Sequence, residues 1–265
     1  MFLQHFGLKH APLGKNSPSL WQDGNLITLQ ERFTNLLHSP GIGILTGEPE
    51  VGKTVALHHI AKSLNPHQHQ IFYVAETNFT SFDIYRQLAL TLGLVPASRY
   101  AQLWRDIKNH IRDRVEHKRS LPIFIIDEAH NLPVDFFRNF PSFVNFDFDS
   151  RDMMTVWFVG HPILASIIDR VAYTALNSRI QVRHQLHPII ERDRFAQLIH
   201  HAFKEAGSQT TLLSDSGIEL IRSASQGRPR SANKILVCAM QLATKKGLNH
   251  LPDEVLQEAI AQLKG

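Results

Sequence analysis

The sequence predicts an α/β protein: a parallel five-stranded sheet wrapped by crossover helices, followed by an all-helical segment. Three observations carry this reading. Short, nearly continuous apolar runs alternate with longer stretches of helical periodicity over the first two thirds of the chain. The first apolar run ends in a glycine-rich turn and the third in two acids. After Pro188 only helical periodicity remains.

The strands are expected at 42–46, 71–75, 121–126, 153–159 and 180–186. The first four are near-continuous apolar runs, the pattern of strands buried on both faces. The fifth alternates through Ile180, Val182, His184 and Leu186, as a half-exposed edge strand does. Between them, a helix over 54–64 stops at Asn65-Pro66. A second, over 80–92, opens with Thr80 and Asp83 at capping-box spacing and closes at Gly93. A third, over 102–118, places Leu103, Ile107, Ile111 and Val115 on one face. Four more helices are expected at 191–206, 216–225, 231–246 and 253–263. Ser216 and Glu219 stand at capping-box spacing, and Gly227 and Gly247 are the stops. The expected division is an α/β domain over 1–188, with an extension and first helix over 1–40, and a helical domain over 189–265.

A chain of 265 residues, 43% hydrophobic, can bury a large core. Its formal net charge of +4 permits an anionic partner without demanding one. The single cysteine, Cys238, excludes an internal disulfide, reads as a small apolar residue and fits a reducing compartment. No apolar run reaches the roughly 18 residues of a membrane span, and the first six residues lack the basic-then-apolar pattern of a signal peptide. The expectation is a cytoplasmic protein without direct membrane insertion.

The chemistry begins at Gly47-Glu48-Pro49-Glu50-Val51-Gly52-Lys53-Thr54, which matches G-x-x-x-x-G-K-[ST] between a strand and a helix. Glycines let backbone amides curl around a β-phosphate, and the helix N-terminus adds partial positive charge. Lys53 reaches the β- and γ-phosphates, the Thr54 hydroxyl binds Mg²⁺, and Val55 follows in the first helical turn. The cofactors expected are therefore ATP and Mg²⁺. The run 121–126 then delivers Asp127 and Glu128 to a strand end, where ligands bind on such sheets. Asp127 would hold Mg²⁺ and Glu128 would activate the attacking water. Asp127-Glu128-Ala129-His130 also spells a helicase motif, but that class needs a second ATPase domain, for which the helical tail has no room. The fourth strand ends in Gly160-His161-Pro162, setting a polar side chain near the expected γ-phosphate, and Gly227-Arg228-Pro229-Arg230 opens a helix from which Arg230 could reach the nucleotide; the plain alternatives are a structural strand-end histidine and a solvent-facing arginine at a helix start.

These residues together resemble the AAA+ superfamily, and within it the ExeA/TniB/TnsC-like group of secretion and transposition ATPases. The likeness also runs through Phe6-Gly7-Leu8, Pro12, Asn145-Phe146 and Ser178-Arg179-Ile180. It implies a P-loop NTPase sheet of order 5-1-4-3-2, a C-terminal helical lid, and self-association into a ring or helical filament in which a neighbour completes each ATP site. It places His161 at the sensor-1 position, where the group more often has Gln, Arg179 as the arginine finger and Arg230 as sensor 2. The plain alternative for Arg179 is a salt-bridged arginine at a strand start.

Among the functions the resemblance implies, a transposition ATPase that assembles on double-stranded DNA and recruits a transposase is favoured. Its basis is the mild basic charge and a chain ending just after the lid. A secretion or envelope-assembly ATPase is the alternative, and an ATP-gated binding switch the third; the switch is expected to lack Glu128. Other features read plainly. The basic residues of 102–119 suit a solvated helix face better than a DNA track. Phe136, Phe137, Phe140, Phe143, Phe146 and Phe148 suit packing better than base stacking. The sixteen histidines lack metal-ligand spacing.

Overall fold

The computed structural model describes residues 2–14, 19–75, 77–208 and 210–264. Of the N-terminal hexapeptide, Met1 lies outside the described residues. The elements run α1 (Phe2–His5), α2 (Gly24–His38), β1 (Ile42–Gly47), α3 (Lys53–Ser63), β2 (His69–Val74), α4 (Ser81–Thr91) and α5 (Tyr100–Glu116). Then come β3 (Leu121–Ile126), α6 (Val134–Val144), β4 (Thr155–Gly160), α7 (Ile163–Ile168), α8 (Thr174–Asn177) and β5 (Ile180–Leu186). The chain continues through α9 (Arg192–Glu205), α10 (Asp215–Ser225), α11 (Pro229–Lys245) and α12 (Asp253–Lys264).

The five strands form one parallel sheet in the order β2-β3-β4-β1-β5, the expected 5-1-4-3-2. β1 and β4 are buried along their whole length, which is why their sequences are apolar without alternation. β5 alternates as expected at an edge. β2 departs from its expected burial on both faces: as the other edge strand of that order, it buries Phe72 and Val74 and exposes Tyr73. A strand's neighbours decide its burial, and β2 has only β3.

By packing, the chain divides into two compact units. The first comprises Gly24–Gly47 and Ile60–Leu186 and holds the sheet. Its core joins Ile44, Phe124, Ile126 and Val156 of the sheet to α4, α5 and α6. Five of the six phenylalanines after β3 are buried there; Phe148 is fully exposed, on a turn where Asp147, Phe148 and Asp149 all have positive φ. Gly43 of β1 is dictated by space: a Cβ would fall 2.8 Å from the Trp157 ring and 2.9 Å from Leu36 Cδ1. That ring stacks on Phe33 at 5.2 Å between centroids. Thr80 caps α4 as its sequence implies, accepting from the Asp83 amide.

The second unit comprises the described residues of Met1–Asp23, Glu48–His59 and His187–Gly265. Its core gathers Phe195, Ile199, Ile221, Leu236 and Leu256 from α9–α12, together with Phe6 and Leu8. α10 begins two residues earlier than its capping-box spacing suggests. Its cap is Ser214, not Ser216, accepting from the Gly217 amide at 3.0 Å. Gly217 is the residue that fits, since a Cβ there would meet Leu256 Cδ1 at 2.9 Å. Glu219 is left for a bidentate pair with Arg222, one turn along. Gly227 and Gly247 end α10 and α11 with φ of +68° and +69°.

Candidate nucleotide site

β1, β4 and β3 run parallel, with Thr46 opposite Gly160 and Phe158 opposite Ile126. Their carboxyl ends therefore share one sheet edge. Gly47, Asp127-Glu128 and His161 all leave the sheet there, the edge at which open α/β sheets bind ligands.

In the phosphate loop, Glu50 and Gly52 have positive φ, +69° and +101°. No heavy atom lies within 4 Å of where a Cβ of Gly52 would sit. α3 begins at Lys53, so the amides of its first turn, including that of Thr54, have no acceptors within the helix. The Lys53 ammonium donates to the Glu48 carbonyl at 3.0 Å, folding over the loop's own backbone. Left-handed turns, a helix N-terminus and a lysine bent onto the loop are a donor set that fits a polyphosphate.

At the end of β3, Asp127 is 5% exposed. One carboxylate oxygen accepts from the Tyr73 hydroxyl at 2.7 Å and the other from the Glu128 amide at 2.9 Å. A buried carboxylate held by neutral donors suits a divalent cation or its bound water. Glu128 itself is left-handed (φ 50°, ψ 33°), and its carbonyl accepts from the Thr77 hydroxyl at 2.9 Å. Its side chain stays 57% exposed.

His130 stands between Glu128 and His161. Its Nδ1 lies 3.5 Å from Glu128 Oε2 and 3.4 Å from the His161 amide. A neutral His130 accepts from that amide, whereas a protonated one pairs with the carboxylate. Gly160 makes room for it, since a Cβ there would stand 3.1 Å from His130 Nδ1. His161 Nδ1 is the acceptor for the Ile163 amide at 3.4 Å, which puts the proton of the neutral ring on Nε2.

Tyr73, Thr77 and His130 were not among the residues the sequence singled out. Nothing in the sequence marks Tyr73 or Thr77, because strand pairing and a loop contact bring them in. His130 was visible in the run after β3 that carries the family likeness, but sequence alone assigned it no role of its own.

Two expected site residues, Arg179 and Arg230, come from other elements. Arg179 precedes β5 and is paired: Nη2 meets Asp149 Oδ2 at 2.6 Å, and Nη1 donates to the Ala175 carbonyl at 3.0 Å. Within one chain this is the salt-bridged arginine of the plain alternative. Arg230 lies in the first turn of α11, its amide 3.4 Å from the Glu50 carbonyl. The basic face of α5 is partly spent on its own unit. Lys108 lies over the Phe146 ring and donates to the Asn145 carbonyl. Arg112 pairs with Asp147, and Arg114 holds His110 and Gln70.

Residues 36–168 match the family model described as an AAA domain, a span that includes the phosphate loop, Asp127, Glu128 and His161. The chain belongs to the AAA domain family. Its fold is that of the AAA+ P-loop ATPases, and the matched span stops short of Arg179 and Arg230. This AAA chain is 23% identical to general secretion pathway protein A of Aeromonas hydrophila, over all of its own length and 49% of that protein. It thus spans about half of that curated relative. Its fold resembles the Aeropyrum pernix ORC2 protein, with a TM-score of 0.74 at 16% identity, covering 96% of this chain and 72% of the other. It also resembles the A. pernix ORC1 protein solved in complex with DNA, with a TM-score of 0.69 at 14% identity, covering 94% of this chain and 67% of that one. Among the described residues, no helix is long and apolar enough to cross a membrane.

Proposed function

We propose that this AAA chain binds Mg·ATP on the Gly47–Thr54 loop, hydrolyses it with Asp127 and Glu128, and uses the cycle to assemble and release a partner complex. The observation that carries the reading is one sheet edge from which a phosphate-binding loop, a buried metal-type carboxylate and an exposed, backbone-pinned glutamate all emerge. In it, Gly47, Glu48, Pro49, Glu50, Val51 and Gly52 wrap the phosphates with backbone. Lys53 neutralises them, and Val55 follows in the first turn of α3. Thr54 and Asp127 hold Mg²⁺, and Glu128 takes the proton of the attacking water. His161 donates through Nε2 toward the terminal phosphate. Arg230 approaches from the helical lid, and Arg179 serves a neighbouring subunit's site once its pairing with Asp149 is exchanged. By function the division is 1–188 for catalysis and 189–265 for the lid.

Lys53→Ala should abolish nucleotide binding, and Glu128→Gln should bind ATP yet lose turnover by about 10²–10⁴-fold. If Glu128→Gln turns over normally, the catalytic assignment falls.

Two partner classes remain for the work driven. A DNA-transposition role, with assembly on double-stranded DNA and recruitment of a transposase, draws on the basic charge and on a structural neighbour solved with DNA. The secretion or envelope-assembly role draws on the whole-chain likeness to a secretion pathway protein, and the inward use of the basic residues of α5 leans the same way. Fluorescence anisotropy with duplex DNA and an ATP analogue separates them. Salt-sensitive, sequence-indifferent binding supports transposition; no binding at low salt eliminates it and leaves the secretion role.

A further inference from the structure

α11 carries Arg230, yet it has no cap of its own. Its N-cap residue is Arg228, whose side chain has no acceptor and makes no capping bond. Pro229 follows at the first helical position and has no N–H. The next amide, that of Arg230, turns to the carbonyl of Glu50 in the phosphate loop. The Glu50 carboxylate adds contacts to two side chains of the helix. One oxygen accepts from the Ser231 hydroxyl, and the other meets Lys234 Nζ at 2.5 Å. Lys234 lies one turn beyond Arg230, so backbone and side chain of one loop residue hold the first two turns of the helix. An anion at this helix end is also favoured by the helix dipole.

The arrangement has a cost. Glu50 is left-handed, which a non-glycine residue adopts only when its surroundings insist. Hydrogen bonds from Lys234 and Ser231 keep its carboxyl below the usual carboxylate range, so it is anionic at neutral pH. The consensus leaves this loop position open to any residue, and nothing about phosphate binding requires an acid there.

We propose that Glu50 is a positioning residue: as the cap of α11 supplied by the phosphate loop, it sets where Arg230 stands and so couples loop conformation to the arginine's contact with ATP. This rests on the reading above that Arg230 reaches the nucleotide.

The test is a double-mutant cycle in the full chain, read as dissociation constants for fluorescent ATP and ADP analogues with Mg²⁺, and as KM and kcat. Arg230→Ala should weaken ATP binding on the order of tenfold, as loss of a charge-assisted hydrogen bond does, and reduce the preference for ATP over ADP. Glu50→Ala should reproduce both effects, and adding it to Arg230→Ala should cost nothing further. Ser231→Ala with Lys234→Met cuts the same clasp from the helix side, leaves the loop sequence intact, and should match Glu50→Ala. General damage to the loop would weaken ATP and ADP alike, so an unchanged ATP preference in Glu50→Ala overturns the proposal. Fully additive losses overturn it too. An inert Arg230→Ala refutes the assignment of Arg230 itself, and the proposal falls with it.

Discussion

The catalytic role proposed for Glu128 depends on position as much as chemistry. The left-handed Glu128 backbone is held by the Thr77 hydroxyl, so Thr77→Val should leave nucleotide binding intact while lowering kcat about fivefold, the effect of removing one hydrogen bond of roughly 1 kcal/mol. Single-turnover hydrolysis after a binding titration reads the split. Gly160 matters at the same scale. Gly160→Ala would press a methyl against His130 Nδ1 at 3.1 Å. It should cost about 1 kcal/mol of stability by overpacking, seen as a lowered urea midpoint, and should displace His130 from between Glu128 and His161. At this scale the sequence showed Lys53, Thr54, Asp127 and Glu128, because the chemistry of phosphate and magnesium prescribes those residue types. Tyr73 and Thr77 belong to the same site but carry no motif; they arrive by contact.

At the scale of elements, Gly227 does more than stop α10. A Cβ there would lie 2.3 Å from the Ile189 carbonyl oxygen, and its φ is +68°. Gly227→Ala should therefore cost about 3 kcal/mol, combining backbone clash and strain, with thermal denaturation as the measure. α10 offers a pH test. Its Glu219, gripped by Arg222, titrates at about 2 instead of its ordinary 4.5. A depressed carboxyl contributes stability above its unfolded pKa and loses it as pH falls through the folded value. Glu219→Gln should thus lose its disadvantage between about pH 4.5 and pH 2. Parallel urea melts of both proteins across that window check it. The capping of α10 was misplaced from sequence because serines stand at both 214 and 216. Packing of Gly217 against Leu256 decides between them.

For the whole molecule, the proposed trans role of Arg179 predicts complementation. Glu128→Gln keeps the arginine and spoils its own site, whereas Arg179→Ala does the reverse. Mixed in equal amounts under assembling conditions, the two inactive variants should recover about a quarter of wild-type turnover by random pairing across a heterologous interface. No recovery would confine Arg179 to its partner Asp149. The sequence by itself determined the sheet order through its likeness to a family, the buried centre of the sheet through unbroken apolar runs, and the loop and acids proposed to meet phosphate and metal. Those are properties of residue type and local spacing. Only the tertiary structure decided that Tyr73 of β2 is exposed, that Arg179 is paired with Asp149, and that Glu50 holds a helix about 180 residues further along. Each depends on a partner far away in the chain, and no local pattern encodes where a distant partner will fold.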